Sequence, residues 1–388
     1  MKLPFRNNPR LGRWLQCLPG TSSRFGPPRT VATAQNHARA HSGTLIEATP
    51  ARPLIPAPIQ VFGRHNPWIA EFSQTVTPAV HIGCLPGGRL LWPEYSVVTA
   101  DDTLLLDTSF LALCDHGGLH RHPLGARWRA PLQHRLDGRV LAITSDFAQR
   151  SFGHMVLDAL PRLHHLRNAG LSVADFDWIV LPGLRSPTLD RLCDAAAIPS
   201  QRIYRTDTRE DLVCDELTYV TFPGSPGVYP AETPEFYRRL LKLPAAAGHR
   251  RIYLSRQRQA RRRLTNEAEI ESLLARNGFE TVFPETDADT IRKCSEAAII
   301  VGIEGSNMVN QVFAPPGGTV VLMVDDQWRD LPYVRSLAMA CGNRFMAAVG
   351  EARDVPADHS HWSNLHNLHL PPETLEAAIQ AAVRPVAS

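Results

Sequence analysis

The stretch that decides the fold is AIIVGIEGSNMVN, from Ala298 to Asn310. A short continuous apolar run followed by glycine and polar residues suits a buried strand that ends in a loop and opens a helix. In an open parallel sheet that is where ligands bind, at the carboxyl end of a strand. Gly302 and Gly305 let the backbone turn sharply or come close to a ligand. The amides of Ser306, Asn307 and Met308 then lie at a helix N-terminus, which attracts anions such as phosphate. Asn307 and Asn310 add neutral donors. Glu304 would repel a phosphate and fits better as a proton acceptor or as a partner for sugar and ribose hydroxyls. The plainer reading has Ser306 or Asn307 capping the helix and Glu304 solvated.

Outward from this stretch, strands and helices alternate. Arg251–Ser255, Phe279–Phe283 and Thr319–Met323 read as strands, with helices over 287–297 and from a cap at Asn266 to Gly278. Nearer the front, Arg139–Thr144 and Asp177–Pro182 are strands, and 152–169 reads as one amphipathic helix closed by Gly170. Ser186-Pro187 is an N-cap and first-turn pair. Such alternation predicts an α/β fold with parallel sheets covered on both faces. The turn-rich Pro223–Pro230 separates two such runs. The expectation is therefore two Rossmann-like lobes facing a cleft, 56–235 and 236–388. No standard mononucleotide or dinucleotide glycine fingerprint occurs.

Residues 1–55 carry eight Lys/Arg against one acid, Glu47, and the remaining chain carries 33 basic and 37 acidic residues. This front segment predicts an irregular basic arm: a structural strap, a contact with an anionic membrane surface or, by its Arg-rich and acid-poor composition, an organelle transit peptide. It lacks the apolar core of a secretory signal. No apolar run reaches a bilayer-spanning length. The seven scattered cysteines predict reduced thiols and a cytoplasmic setting, which the basic arm would extend to the inner membrane surface.

Seven arginines fall between 250 and 263. Guanidinium groups suit phosphate, because they present paired donors and stay charged. Arg256, with Arg262 or Arg263, is expected to flank the sheet edge that carries Glu304. The alternatives are a solvated basic face or a nucleic-acid patch. Few interleaved aromatics and a net charge of +3 argue against nucleic acid. In SFGHMVLDALPRL, residues 151–163, His154 and Asp158 are four apart and share one helical face. Asp158 can orient the imidazole and leave its other nitrogen for a substrate hydroxyl. A purely structural histidine fits the same spacing. Cys114–His122 matches no standard zinc pattern, and His359, His361, His366 and His369 suit a polar surface loop, so neither a metal nor another cofactor is expected.

Four motifs in order resemble glycosyltransferase family 61, in particular bacterial members linked to capsule or surface polysaccharide. They are SFGHMVLDALPRL, YLSR at 253–256, RRLTNEAEI at 262–270 and VGIEGSNMVNQVFAPPGGTVV at 301–321. The resemblance departs at Glu304, where the family usually has histidine, and at Ser151, where it usually has asparagine. It implies a GT-B-like fold and an inverting glycosyltransferase that uses a nucleotide sugar, commonly a UDP-sugar, and a glycan acceptor. Arg256, Arg262 and Arg263 with Gly302, Gly305, Ser306, Asn307 and Asn310 would hold the donor. His154 supported by Asp158 would be the base, with Glu304 as rival. A noncatalytic protein that binds a nucleotide sugar or glycan is the alternative, and Glu304 is its best support.

Overall fold

The computed structural model describes residue 16 and residues 25–69, 72, 74–116, 118–244, 246–329, 332–355 and 366–384. Most of the first 24 residues of the expected arm, and the histidines at 359 and 361, lie outside the described residues. The chain divides into two units, Met1–Arg52 with Pro78–Pro226 and Pro53–Thr77 with Gly227–Ser388. Both are mixed α/β.

The first unit carries a ten-stranded sheet. Strands Glu210–Val220, Leu132–Ala142, Trp178–Pro182 and Ile203–Thr206 lie side by side in that order and pair parallel. The expected all-parallel sheet does not extend further. Arg89–Leu91, Ser96–Val98 and Thr103–Leu105 form an antiparallel flank, because the short turns between them can join only antiparallel neighbours. The expected irregular arm also fails over its last part. Thr30–Ala32 pairs with Thr103–Leu105, Ala34–Ala40 is a helix, and Leu45–Thr49 pairs with Val80–Pro86. These partners are distant in sequence, so local composition does not reveal them.

The segment expected as one amphipathic helix is instead broken and buried from Met155 to Leu166. Phe152–His154 is α-helical, Met155–Ala159 is π-helical and Arg162–Asn168 is α-helical again. Pro161 has no amide to donate, which breaks the ladder, and the Leu160 amide reaches Met155 carbonyl instead at 3.0 Å. Arg162, itself buried, donates to the Asp158 carbonyl at 2.9 Å and to the Thr108 carbonyl at 2.9 Å. Burial lowers the pKa of this guanidinium to about 10, with Asp158, Asp146 and Asp107 opposing the shift.

In the second unit, strands Glu280–Val282, Arg250–Leu254, Ala297–Ile303, Thr319–Asp325 and Arg344–Arg353 follow one another across the sheet, all parallel. Counted along the chain, these strands have the order 2-1-3-4-5, so the winding reverses between Arg250–Leu254 and Ala297–Ile303. Residues 56–77, expected in the first lobe, belong here. Gln60–Gly63 pairs parallel with Arg344–Arg353. Every residue of Thr319–Asp325 is buried, as a strand covered on both faces requires. Tyr253, Ile270, Leu273, Val301, Met323 and Ile379 share the core on one face. Asn266 does not cap the helix Glu267–Arg276 with its side chain. It bonds the Leu370 carbonyl at 2.9 Å and accepts from the Leu370 amide at 3.3 Å. No helix among the described residues is long and apolar enough to cross a membrane.

Candidate functional site

In the second unit, Leu254 and Ile303 end the two strands that border the reversal. The crevice outside such carboxyl ends is the usual ligand site of an open α/β sheet. Arg256 leaves the first of them and is 7% exposed. Its Nη1 donates to Asn307 Oδ1 at 3.2 Å, and its Nε donates to the Arg262 carbonyl at 3.2 Å. Asn307 is held in turn, donating from Nδ2 to the Leu254 carbonyl at 2.9 Å. A side chain at position 305 would place Cβ 2.0 Å from Arg256 Nη1, and Gly305 has φ +148°. Glycine is therefore required twice over, for space and for conformation. At Gly302 a Cβ would meet Met308 Sδ at 2.4 Å. The loop thus packs directly against the guanidinium.

Glu304 is 2% exposed and is not solvated. Its Oε2 accepts from Arg262 Nη1, and its Oε1 accepts from the Tyr333 hydroxyl at 3.1 Å. The Gly305 amide donates to the same hydroxyl oxygen at 3.1 Å. Both carboxylate oxygens are therefore occupied, which suits a structural clamp better than a free proton acceptor. Burial lowers the pKa of Arg256, and the neighbouring Arg262 charge lowers it further against the pull of Glu304. Two guanidinium groups and one carboxylate leave this corner net positive. The 3₁₀ helix Ser306–Phe313 starts here; the Met308 amide, expected among the anion-facing donors, instead donates to the Gly305 carbonyl at 2.9 Å, which leaves the Ser306 and Asn307 amides at the helix start. Asn310 donates to the Asn307 carbonyl at 2.8 Å and orders the loop from within.

The arginine run separates into distinct tasks. Arg250 pairs with Glu280 and Glu296, Arg251 bonds the Asn277 carbonyl, and Arg258 lies over the Phe283 ring. Arg256 and Arg262 turn to the loop. Arg263 is exposed and meets the Asn367–His369 strand through its backbone. Arg262 has φ +57°, and this reversal decides which neighbour points inward.

Sequence reasoning missed two supports. Tyr333 is one. The other is Glu267, whose Oε1 accepts from the Tyr253 hydroxyl at 2.7 Å and from Ser255 Oγ at 2.9 Å. Tyr253 and Ser255 are two apart, so they face the same side of the strand. The spacing of YLSR and the Glu of Asn266-Glu267 carried that signal.

In the first unit, the chain leaves the strand Leu132–Ala142, which lies between Trp178–Pro182 and Glu210–Val220, and enters the 152–154 helix. That is again the carboxyl end of a strand at a reversal. His154 Nδ1 lies 2.6 Å from Asp158 Oδ2. Asp158 is fully buried, while the His154 side chain keeps 24% exposure. The π-helical turn begins directly after His154, and such turns are frequent at functional sites. Phe110 and Phe147 flank the imidazole, with ring centroids at 4.9 and 5.1 Å. Burial pulls the His154 pKa down, but the charge and hydrogen bond of Asp158, with Asp146 and Glu94 behind, outweigh it and raise the net value. Asp146 is itself held low; burial opposes this, but His122, Ser109 and the Leu111 amide prevail.

The Cys114–His122 segment is structural over its described residues. The His122 Nδ1 accepts from the Leu124 amide at 3.1 Å, its Nε2 lies 3.2 Å from Ser96 Oγ, and Asp115 accepts from the His120 amide at 2.7 Å.

A family model described as Glycosyltransferase 61 matches residues 152–322. The match begins beside His154 and Asp158 and contains Arg256, Arg262, Glu304, Gly305, Asn307 and Asn310. The matched segment is similar to that family, and the four ordered motifs lie along it. The coarse activity this supports is glycosyl transfer. No curated protein matches the chain.

Proposed function

We propose that this glycosyltransferase 61 chain is an inverting enzyme that moves a sugar from a nucleotide sugar, a UDP-sugar in the first instance, to a hydroxyl of a glycan acceptor. The two units then serve as acceptor and donor lobes of a GT-B-like enzyme. The observation that carries the reading is the convergence of Arg256, Arg262 and the amides after Gly305 at the reversal point of the second sheet. Such a corner stabilises a leaving diphosphate with preorganised charge, where the electrostatic demand of the reaction is greatest.

In this reading His154 takes the acceptor proton. Asp158 holds Nδ1, which leaves Nε2 for the hydroxyl. As that proton moves to Nε2, the acceptor oxygen attacks the anomeric carbon from the face opposite the leaving group. The bond from carbon to the diphosphate oxygen breaks, and the nucleoside diphosphate departs with its charge held by the two arginines. Glu304, with both oxygens engaged, supports Arg262 and does not compete for the proton. The product would belong to capsule or surface polysaccharide, made on the cytoplasmic side, with the basic front segment available to an anionic membrane.

Thermal shift with a panel of nucleotide sugars, followed by transfer and donor-hydrolysis assays, tests this. One donor should raise the melting temperature, because a ligand that binds only the folded state stabilises it. The same donor should be consumed when acceptor is added, and Arg256→Ala should abolish the shift. A panel in which no nucleotide sugar stabilises the protein or is consumed overturns the proposal. Binding without turnover would instead mark a noncatalytic binding protein.

A further inference from the structure

We infer that His37, His41 and Asp101 form a binding site for one divalent transition-metal ion of the zinc type, outside the site described above. The helix Ala34–Ala40 that carries His37 is fixed at its start. Thr33 Oγ1 accepts from the Asn36 amide at 3.1 Å, and both Asp107 oxygens accept from the Ala34 amide at 2.9 and 3.0 Å. Four residues apart, His37 and His41 lie on one face, with ring centroids 4.3 Å apart. The turn before Thr103–Leu105 brings Asp101 against both rings. Its Oδ1 lies 3.3 Å from His37 Nε2, and its Oδ2 lies 3.6 Å from His41 Nε2.

The arrangement around these atoms suits a cation. His41 Nδ1 is 3.0 Å from the His37 carbonyl, which can only accept, so Nδ1 carries the proton. In the neutral ring, Nε2 then presents a lone pair, and it faces a carboxylate oxygen. Two acceptors aimed at each other are repulsive unless a positive charge joins them. The carboxylate is oriented as well, since Thr99 donates to Oδ1 and Thr103 donates to Oδ2 at 3.2 Å. Hydrogen bonds of this kind are how proteins aim metal ligands. A tetrahedral zinc with bonds of about 2.0–2.1 Å holds its ligand atoms about 3.4 Å apart. Each ring nitrogen lies near that separation from one of the two Asp101 oxygens, and one ligand atom from each of the three residues falls within 4.8 Å of the other two. Two imidazoles and one carboxylate select zinc and its neighbours over calcium or magnesium. Water would complete the shell, and the ion would clip the helix to the 99–103 turn.

Zinc titration of the chelator-stripped full chain against a chromogenic chelator tests the site, with the melting temperature as a second readout. One equivalent should bind and raise the melting temperature. His37→Ala, His41→Ala and Asp101→Asn should each weaken binding by at least about tenfold, the loss usual for disturbing even the outer shell of a metal site. The His41 side chain is 53% exposed, so its removal should leave the metal-free melting temperature unchanged; His41→Gln keeps the side-chain bulk as a control. If zinc fails to bind, or binds with equal affinity to the His37→Ala/His41→Ala double variant, the inference is overturned. The latter result would assign the ion to other histidines, and the 37–41–101 contacts would then be ordinary ion pairs with a protonated ring.

Discussion

His154 Nδ1 and Asp158 Oδ2 lie 2.6 Å apart across a turn of π-helix, with the carboxylate fully buried and the imidazole partly open to solvent. The buried acid fixes the ring and raises its pKa against the effect of burial. As a base His154 must be neutral, so transfer should rise with pH through this raised value. Asp158→Asn removes the charge, and the acid limb of the pH–rate profile should move to lower pH while the maximal rate falls about a hundredfold. His154→Ala should lose about 10²–10⁴-fold in rate. The same shift has a stability consequence. The pair stabilises the fold fully below the unfolded histidine value of about 6.5, and that contribution is lost as pH rises through the higher folded value. An Asp158→Asn profile superimposable on the parent would remove His154 from the role of base.

Glu304 binds Arg262 with one oxygen and Tyr333 with the other. Glu304→Ala removes the acceptor that the guanidinium and the hydroxyl share in a mostly buried corner, at a cost of about 2 kcal/mol. Arg262 keeps 30% side-chain exposure, so solvent recovers part of what a fully buried pair would lose. Donor KM should rise, because Arg262 then loses the carboxylate that positions it. The chemical step should fall far less than in His154→Ala, which single-turnover kinetics can separate. A Glu304→Gln rate loss equal to that of His154→Ala would make Glu304 the base.

Gly305→Ala tests the approach of the loop to Arg256. The added Cβ would overlap Nη1, and the backbone at φ +148° is one that alanine rarely adopts. Strain of about 1–3 kcal/mol is expected, along with a displaced guanidinium. Donor binding should weaken at least about tenfold while the far-UV circular dichroism is kept. Unchanged donor affinity would mean that Arg256 does not meet the donor.

The legible parts of this molecule are those written in local periodicity. The apolar run into Gly302, the helix from Pro187 behind Ser186, the helix Pro372–Val383 and the four-residue spacing of His154 and Asp158 all follow from neighbours along the chain. Choices made by distant segments were not legible. Whether Arg262 or Arg263 turns inward depends on one positive φ. One partner of Glu304 is Tyr333, beyond a whole strand, and one partner of Asn266 is Leu370. Residues 30–49 look irregular by composition and become ordered only because Thr103–Leu105 and Val80–Pro86 receive them.

Glu267 tests whether the strand end that carries Arg256 is held by chemistry seen only in three dimensions. Its Oε1 accepts from both Tyr253 and Ser255, each buried. Burial, then the charge and hydrogen bond of Glu267, push the tyrosine pKa well above its ordinary value, so the hydroxyl remains a donor across the working range. Glu267→Leu strands two hydroxyls, at about 1–3 kcal/mol each. Glu267→Gln keeps an acceptor oxygen and should recover most of that loss. Adding Tyr253→Phe and Ser255→Ala to Glu267→Leu should restore part of the stability lost in the single variant, because both stranded hydroxyl donors are then gone, although the Gln257 amide, which donates to Ser255 Oγ at 3.1 Å, loses that acceptor. Urea denaturation of the full cycle measures the coupling directly, and residues that share one acceptor should deviate from additivity by about 0.5–3 kcal/mol. Additive losses would mean that the two hydroxyls are satisfied elsewhere, and that the strand end is positioned by packing alone.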